Sequence, residues 1–142
     1  MDLGFVGAVI ALLFLLFGIF AGVGAGDILV KRCVSRKDYI RMNLAVLGAG
    51  ALLTAVVYAT GLLMLLMLVF GAMAGTLSGM KMGFGESVGP WKKADSSFGV
   101  NKDHVRRSEN SKAAEAGRRA RRDGGPEPEL MSTVEPDQTK KQ

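Results

Sequence analysis

Hydrophobic residues are concentrated in two long uncharged stretches near the start of the chain. Residues 3–26 contain no charged side chain, and residues 42–80 contain none either. At about 1.5 Å per helical residue, the first stretch spans roughly 36 Å, enough to cross a hydrocarbon core about 30 Å thick. The pattern therefore predicts a membrane-spanning helix at about residues 3–29.

The second uncharged stretch is too long for a single crossing. Its 39 residues would form a helix roughly 58 Å long, almost twice the core thickness. Thr60 and Gly61 are the best helix-breaking pair within it, and Tyr58 suits a membrane interface. We therefore predict a hydrophobic hairpin with helices at about residues 43–59 and 62–80. The expected fold class is an all-α membrane protein with three transmembrane helices.

The charge distribution predicts how these helices are oriented. The loop of residues 31–41 carries five basic residues and one acid, and positive residues prefer the cytoplasmic side. Three crossings place Lys81, Lys92 and Lys93 on that side as well, whereas two would not. The sequence predicts a multi-pass protein of the plasma or inner membrane with its N-terminus outside and its C-terminus cytoplasmic.

The chain divides into a transmembrane region, residues 1–82, and a polar segment, residues 83–142. The exit from the third helix is rich in turn formers, namely Gly83, Gly85, Gly89 and Pro90. No apolar periodicity follows, so the segment lacks the apolar surface that would offset the entropy of ordering it. We expect a disordered, basic cytoplasmic tail.

Glycine recurs at four-residue spacing in the first and third predicted helices. The first series is Gly18, Gly22 and Gly26, and the other is Gly71, Gly75 and Gly79. Residues four apart lie about 40° apart around a helix, so each series forms a groove that another backbone can approach closely. Both series predict helix packing, either within the chain, with a partner membrane protein, or between copies. The second helix has a looser small-residue series, Ala51, Ala55 and Ala59.

Arginines cluster in the tail at Arg118, Arg119, Arg121 and Arg122. Cations close to a membrane attract anionic lipid headgroups at about 1 kcal/mol each, and the same cluster could bind an acidic protein face. The alternative is a solvated positive tail that only reinforces the topology. No aromatic residues are interleaved with the arginines, which disfavours binding to nucleic acid.

Few residues in the chain could carry out chemistry. His104 is the only histidine, and the single cysteine, Cys33, excludes an intramolecular disulfide. No zinc, serine-hydrolase or phosphate-loop motif occurs. We therefore predict a protein that is not an enzyme, with no catalytic residue, metal site or cofactor. The position of Cys33 beside Lys31 and Arg32 is compatible with palmitoylation or with a purely structural role.

The order of one helix, a basic loop, a hydrophobic hairpin and a charged tail resembles three-span phage holins and small subunits of multisubunit antiporters. This resemblance concerns topology alone. The leading hypothesis is an accessory or scaffolding subunit of a membrane complex, with its tail meeting cytoplasmic partners. The first alternative is a holin-like pore former that assembles from copies of itself. The second is a small transporter subunit, against which the absence of a buried intramembrane charge counts.

Overall fold

The computed structural model describes residues 4–125, and every regular element in that range is an α-helix. The six helices are α1 (Phe5–Val30), α2 (Arg36–Ala59), α3 (Leu63–Phe84), α4 (Pro90–Phe98), α5 (Lys102–Glu109) and α6 (Ser111–Asp123). The first three are long and apolar enough to cross a membrane. The predicted all-α membrane fold with three transmembrane helices is therefore confirmed.

The start of α2 differs most from the predicted boundaries. This helix begins at Arg36 rather than near residue 43, because Ser35 caps it. The Ser35 hydroxyl accepts a hydrogen bond from the Asp38 amide at 3.2 Å, and the Asp38 carboxylate accepts one from the Ser35 amide at 3.1 Å. Such a capping box satisfies amides that the first turn would otherwise leave unpaired. The helix consequently takes up much of the predicted basic loop.

The two ends of α3 are set by glycines with positive φ. Gly61, with φ of 75°, forms the turn between α2 and α3, at the position that the sequence predicts. At the other end, Gly85 adopts a left-handed conformation with φ of 70° and terminates the helix at Phe84 rather than near residue 80. Glycine is the residue that takes this conformation without steric cost.

The three long helices are packed unequally. α3 contacts α1 along much of its length and contacts α2 far less. Gly18 of α1 lies beside Leu68 and Ala72, whereas Gly26 lies beside Thr76 and Met80. These pairings advance together along both helices, so α1 and α3 run parallel. We use the term basic end for the end of the bundle where α1 ends, α2 begins and α3 ends.

A small core closes the basic end. It contains the buried side chains of Val30, Cys33, Tyr39, Met80, Phe84 and Val88. The rings of Tyr39 and Phe84 stack with their centroids 4.4 Å apart. This core joins the end of α1, the first turn of α2 and the last turn of α3. Arg118 of α6 lies over its Phe84 ring.

The segment that follows α3 differs from the expectation of a disordered tail. Residues 90–123 form α4, α5 and α6, joined by short turns. Hydrophobic periodicity does not reveal this arrangement, because the segment is held to the bundle chiefly by buried polar and charged side chains, which are described below. The remainder of the predicted tail, residues 126–142, lies outside the described residues.

Candidate functional site

The six glycines identified from their spacing line the contact between α1 and α3. All six are buried. A Cβ atom added at Gly22 would lie 2.8 Å from the Thr76 amide nitrogen, and one added at Gly75 would lie 2.9 Å from the Ile19 Cα. Real Cβ atoms do not approach other atoms so closely, and the obstacle is backbone that cannot rotate away. The two helices therefore meet backbone against backbone, and a methyl group would separate them.

Two threonine hydroxyls in the membrane-spanning helices bond to their own helix. Thr54 Oγ1 donates to the Gly50 carbonyl at 2.8 Å, and Thr76 Oγ1 donates to the Ala72 carbonyl at 2.7 Å. Each bond runs back one helical turn, a common way to satisfy a threonine inside a membrane. Contact between α1 and α3 consequently depends on close packing rather than on hydrogen bonds from these hydroxyls.

The helix α2 has the least buried surface of the three. Tyr39, near its start, is its one buried residue among those described. The small residues Ala51, Ala55 and Ala59 are exposed, and a Cβ atom added at Gly48 would meet nothing within 4 Å. Within residues 4–125, the small-residue series of α2 is therefore left exposed, in contrast to those of α1 and α3.

A buried carboxylate holds α6 to the basic end. The side chain of Glu86 is 0% exposed and lies between two arginines. One carboxylate oxygen is 2.9 Å from the Arg36 guanidinium, and the other is 2.6 Å from Arg118 Nη1. We call these three residues the Glu86 cluster. It ties the first residue of α2 and the middle of α6 to the turn that follows α3.

Arg118 is the arginine of this cluster with the most partners. Its Nε donates to the Val34 carbonyl at 2.9 Å, and its Nη1 also donates to the Phe84 carbonyl at 3.5 Å. The guanidinium carbon lies 4.0 Å from the centroid of the Phe84 ring, a distance typical of a cation–π contact. Arg36, on the other side of Glu86, donates to the Ser108 carbonyl of α5.

The many hydrogen bonds matter because isolated buried charges are unfavourable. Taking a carboxylate and a guanidinium out of water costs several kcal/mol per ion unless close pairing and additional hydrogen bonds offset the loss. In the Glu86 cluster both carboxylate oxygens are paired, and the arginines also reach backbone carbonyls. One group is unsatisfied: Arg118 Nη2 is buried and has no hydrogen-bond acceptor among residues 4–125.

A second buried carboxylate, Asp95 of α4, is held by residues from three directions. One oxygen accepts from Lys81 Nζ at 2.8 Å and from Asn101 Nδ2 at 3.2 Å, and the other accepts from the Ser87 hydroxyl at 2.6 Å. We call these four residues the Asp95 cluster. Hydrogen bonds from Lys81 and then Ser87 lower the pKa of Asp95 to about 2. The carboxylate is therefore charged at neutral pH.

Two aromatic groups lie beside the Asp95 cluster. Lys81 Nζ is 4.8 Å from the centroid of the Trp91 ring, in addition to its bond to Asp95. The amide of Ser87 donates to the His104 carbonyl at 3.2 Å, which links α5 to the turn that follows α3. Burial, followed by the charge of Arg107, lowers the pKa of the His104 imidazole. His104 is thus favoured in its neutral form in the docked segment.

The four arginines predicted to form a polybasic patch do not behave alike. Arg118 lies in the Glu86 cluster with its side chain only 9% exposed. Arg119 is exposed and lies 3.5 Å from Glu115, one turn earlier. Arg122 pairs with the neighbouring Asp123 at 2.9 Å, and Arg121 is exposed. The structure therefore separates one buried arginine that holds α6 in place from three that remain accessible at its surface.

Cys33 lies under the docked α6. Its side chain is buried, and burial together with the charge of Asp38 raises the pKa of its thiol. A raised pKa disfavours the thiolate, which is the reactive form. The location supports the structural role for Cys33 rather than palmitoylation. It also makes this single thiol a natural reporter of whether α6 is in place.

Glu86 and Asp95 are two important residues that are not predicted from the sequence. One signal for Glu86 is present in the sequence, because it is the one acidic residue between Asp38 and Asp95. A lone carboxylate next to a membrane edge that is rich in basic residues is a candidate ion-pair partner. Which arginines it meets depends on the fold and is not encoded by any local spacing.

Comparisons with known proteins leave the function to be argued from these residues. No protein-family model, curated protein or solved structure matches the chain. Within residues 4–125, no group of three His, Cys, Asp or Glu residues is arranged to hold a metal ion. The features on which a function can be based are the α1–α3 contact, the exposed face of α2 and the docked polar segment.

Proposed function

We propose that this protein is a non-enzymatic accessory or scaffolding subunit of a membrane complex. The observation that carries the proposal is the unequal use of the small-residue faces. The glycine series of α1 and α3 are packed against each other, whereas the series Ala51, Ala55 and Ala59 on α2 is exposed. Small residues on a transmembrane helix allow another helix to approach closely. This face of α2 therefore suits the close packing of a transmembrane helix from a partner protein.

We further propose that the basic end faces the cytoplasm. Basic residues at this end include Lys31, Arg32 and Lys37, and positive residues near the ends of spans prefer the cytoplasmic side. In this orientation α4, α5 and α6 form a polar platform beneath the bundle. Their exposed charged surface would contact the soluble part of the same complex.

The holin-like alternative is less well supported. A pore built from copies of this chain would require faces for self-association, and the glycine grooves best suited to this are closed within each chain. Thr54 and Thr76, two hydroxyls that could line an aqueous path, are bonded to their own helices. Self-association would then depend on α2, the same face that we assign to a partner.

Isolation in mild detergent and identification of co-purifying proteins would test this function. We expect a defined heteromeric complex that Ala55→Leu dissociates without lowering the thermal stability of the subunit, because the added bulk lies on an exposed face. Val56→Leu, also at an exposed position of α2, should retain the complex. Large homo-oligomers, together with collapse of the membrane potential on overexpression, would contradict the proposal and favour a pore.

Thiol labelling of intact cells would test the proposed orientation. The background is Cys33→Ser, with a new cysteine at either Thr60 or Lys112. An impermeant thiol reagent should label Thr60→Cys from outside and should leave Lys112→Cys unlabelled until the membrane is opened. Labelling of Lys112→Cys in intact cells would show that the basic end faces outside, which contradicts the proposed orientation but does not affect the assignment of the α2 face.

A further inference from the structure

A cavity of about 460 Å³ opens at the basic end, between the end of α1, the last turn of α3 and α6. Five of the nine residues that line it are basic: Lys31, Arg32, Arg118, Arg121 and Arg122. The others are Ile28, Val30, Cys33 and Gly83. The lining thus combines a cationic wall with a few apolar residues from the end of a membrane-spanning helix.

The charges around the cavity do not cancel. Glu86 pairs with Arg118 and Asp123 pairs with Arg122, and the Asp27 carboxylate lies near Gly83. Lys31 and Arg32 have no ion-pair partner within residues 4–125. Even with Arg121 left out of the count, four lining cations face these three carboxylates, so the cavity is positive. An anionic ligand is therefore favoured over a neutral or cationic one.

Arg118 supplies an independent indication of a ligand. Its side chain is nine-tenths buried, it lines the cavity, and its Nη2 lacks a hydrogen-bond acceptor within the described residues. A buried guanidinium nitrogen without an acceptor is unfavourable, because it has lost its hydrogen bonds to water and gained none in return. An oxygen of an anion seated against Arg118 would satisfy it, and phosphate matches the planar geometry of a guanidinium.

We propose that this cavity binds the phosphate headgroup of an anionic membrane phospholipid. A lipid is favoured over a free phosphate ion because the cavity lies at the end of a membrane span. The exposed apolar side chain of Ile28 would contact the lipid chains next to the phosphate. Since Lys31 and Arg32 precede α2 while Arg118 and Arg122 belong to α6, one headgroup would bridge the bundle to its docked segment. The proposal depends on the membrane fold and not on the identity of any protein partner.

Native mass spectrometry of the full-length protein in mild detergent would test the proposal, with three ligands added separately. These are phosphatidylglycerol, zwitterionic phosphatidylcholine and inorganic phosphate. We expect phosphatidylglycerol to bind most tightly and to slow labelling of Cys33, which lines the same cavity. Inorganic phosphate should neither bind at comparable concentration nor protect the thiol. Equal protection by inorganic phosphate, or equal binding of phosphatidylcholine, would overturn the assignment to an anionic lipid.

Charge-neutralising variants would locate the site. A lysine or arginine near an anionic headgroup contributes about fivefold in affinity, so Lys31→Gln with Arg32→Gln should weaken phosphatidylglycerol binding by about 25-fold. Lys92→Gln with Lys93→Gln removes the same charge from α4 and serves as the matched control. Equal weakening by both double variants would show a diffuse charge effect and contradict a defined site. A folded Lys31→Gln, Arg32→Gln variant that binds like the wild type would also refute it.

Discussion

The two contacts that organise this protein differ in their chemistry. α1 and α3 meet through glycines, with backbone against backbone and with hydroxyls such as Thr76 bonded within their own helix. The polar segment meets the basic end through Glu86 and Asp95, two buried carboxylates held by cations and hydrogen bonds. The first contact depends on shape in a medium without water. The second depends on charge pairing at the membrane edge.

This difference reflects the solvent on each side of the boundary. Within the bilayer there is no hydrophobic force between helices, so close approach of small residues supplies the packing energy. Beyond it, the segment from Pro90 to Asp123 has too little apolar surface to fold by burial. Its docking is therefore directed by a few charged residues whose pairing is specific. A single substitution should affect each contact in a different way.

Loss of the Glu86 charge should have the largest effect. Glu86→Gln leaves the buried Arg118 without its counter-ion, and removing one partner of a buried ion pair costs about 3–5 kcal/mol. Undocking of α6 would expose Cys33, which is now 2% exposed. We expect the rate of thiol labelling to rise by about 100-fold or more.

The matched control for this change is Glu115→Gln. Glu115 pairs with Arg119 on the outer surface of α6, with side chains 38% and 63% exposed, and such pairs contribute about 0.2–1 kcal/mol. Its labelling rate should stay within a few-fold of the wild type. If the Glu86→Gln variant labels as slowly as the control, the Glu86 cluster does not hold α6 and the contrast between the two regions is incorrect.

A methyl group in the α1–α3 contact should have the next largest effect. Gly22→Ala places a Cβ atom against the backbone of Ala72 and Thr76, and such overpacking costs about 1–3 kcal/mol. We expect a lower unfolding midpoint in a detergent denaturation series. Cys33 labelling below that midpoint should be little changed, because the ion clusters remain intact.

Gly24→Ala is the control within the same helix. A Cβ atom at Gly24 meets nothing within 4 Å, so alanine should be neutral or stabilising by up to about 1 kcal/mol through helix propensity. Equal destabilisation by both variants would show that glycine at these positions serves helix flexibility and not close packing. The same result would remove the distinction between the packed and open faces of α1.

The predictability of each region follows from the range of its interactions. Four-residue spacing is a local property, so Gly22 and Gly75 could be identified from the sequence together with the three spans. The Glu86 cluster joins residues 50 and 32 positions apart, and no periodicity relates such positions. Prediction of disorder from low hydrophobicity is reliable only where burial of apolar surface decides the outcome. Here α6 is positioned by Arg118, and composition alone does not distinguish this buried arginine from the exposed ones.

The exposed α2 face shows the same limit from the opposite side. The spacing of Ala51, Ala55 and Ala59 resembles that of the glycines in α1 and α3, yet these alanines are exposed in the part of the chain that the structure describes. Spacing predicts that a helix can pack closely and does not predict what it packs against. What a helix packs against depends on which neighbours are available, and α3 can present its glycine face to only one of them.

Acidification should have the smallest effect and should report on the Asp95 cluster. The pKa of Asp95 is lowered to about 2 in the fold, whereas an unperturbed aspartate has a pKa of about 3.9. Its contribution to docking is therefore complete above about pH 4 and is lost as the pH falls towards 2. The pKa of His104 lies below the usual value of 6.5, so the docked segment disfavours protonation of this imidazole. Docking should therefore weaken slightly as the pH falls below about 6.5.

The fluorescence of Trp91, the single tryptophan, would follow both the His104 step and the Asp95 step, because Lys81 contacts the Trp91 ring and also bonds to Asp95. Asp95→Asn should abolish the step below pH 4 and leave the His104 step in place. A lower step that survives in Asp95→Asn would assign the acid sensitivity to another carboxylate, and the Asp95 cluster would then be incidental to docking.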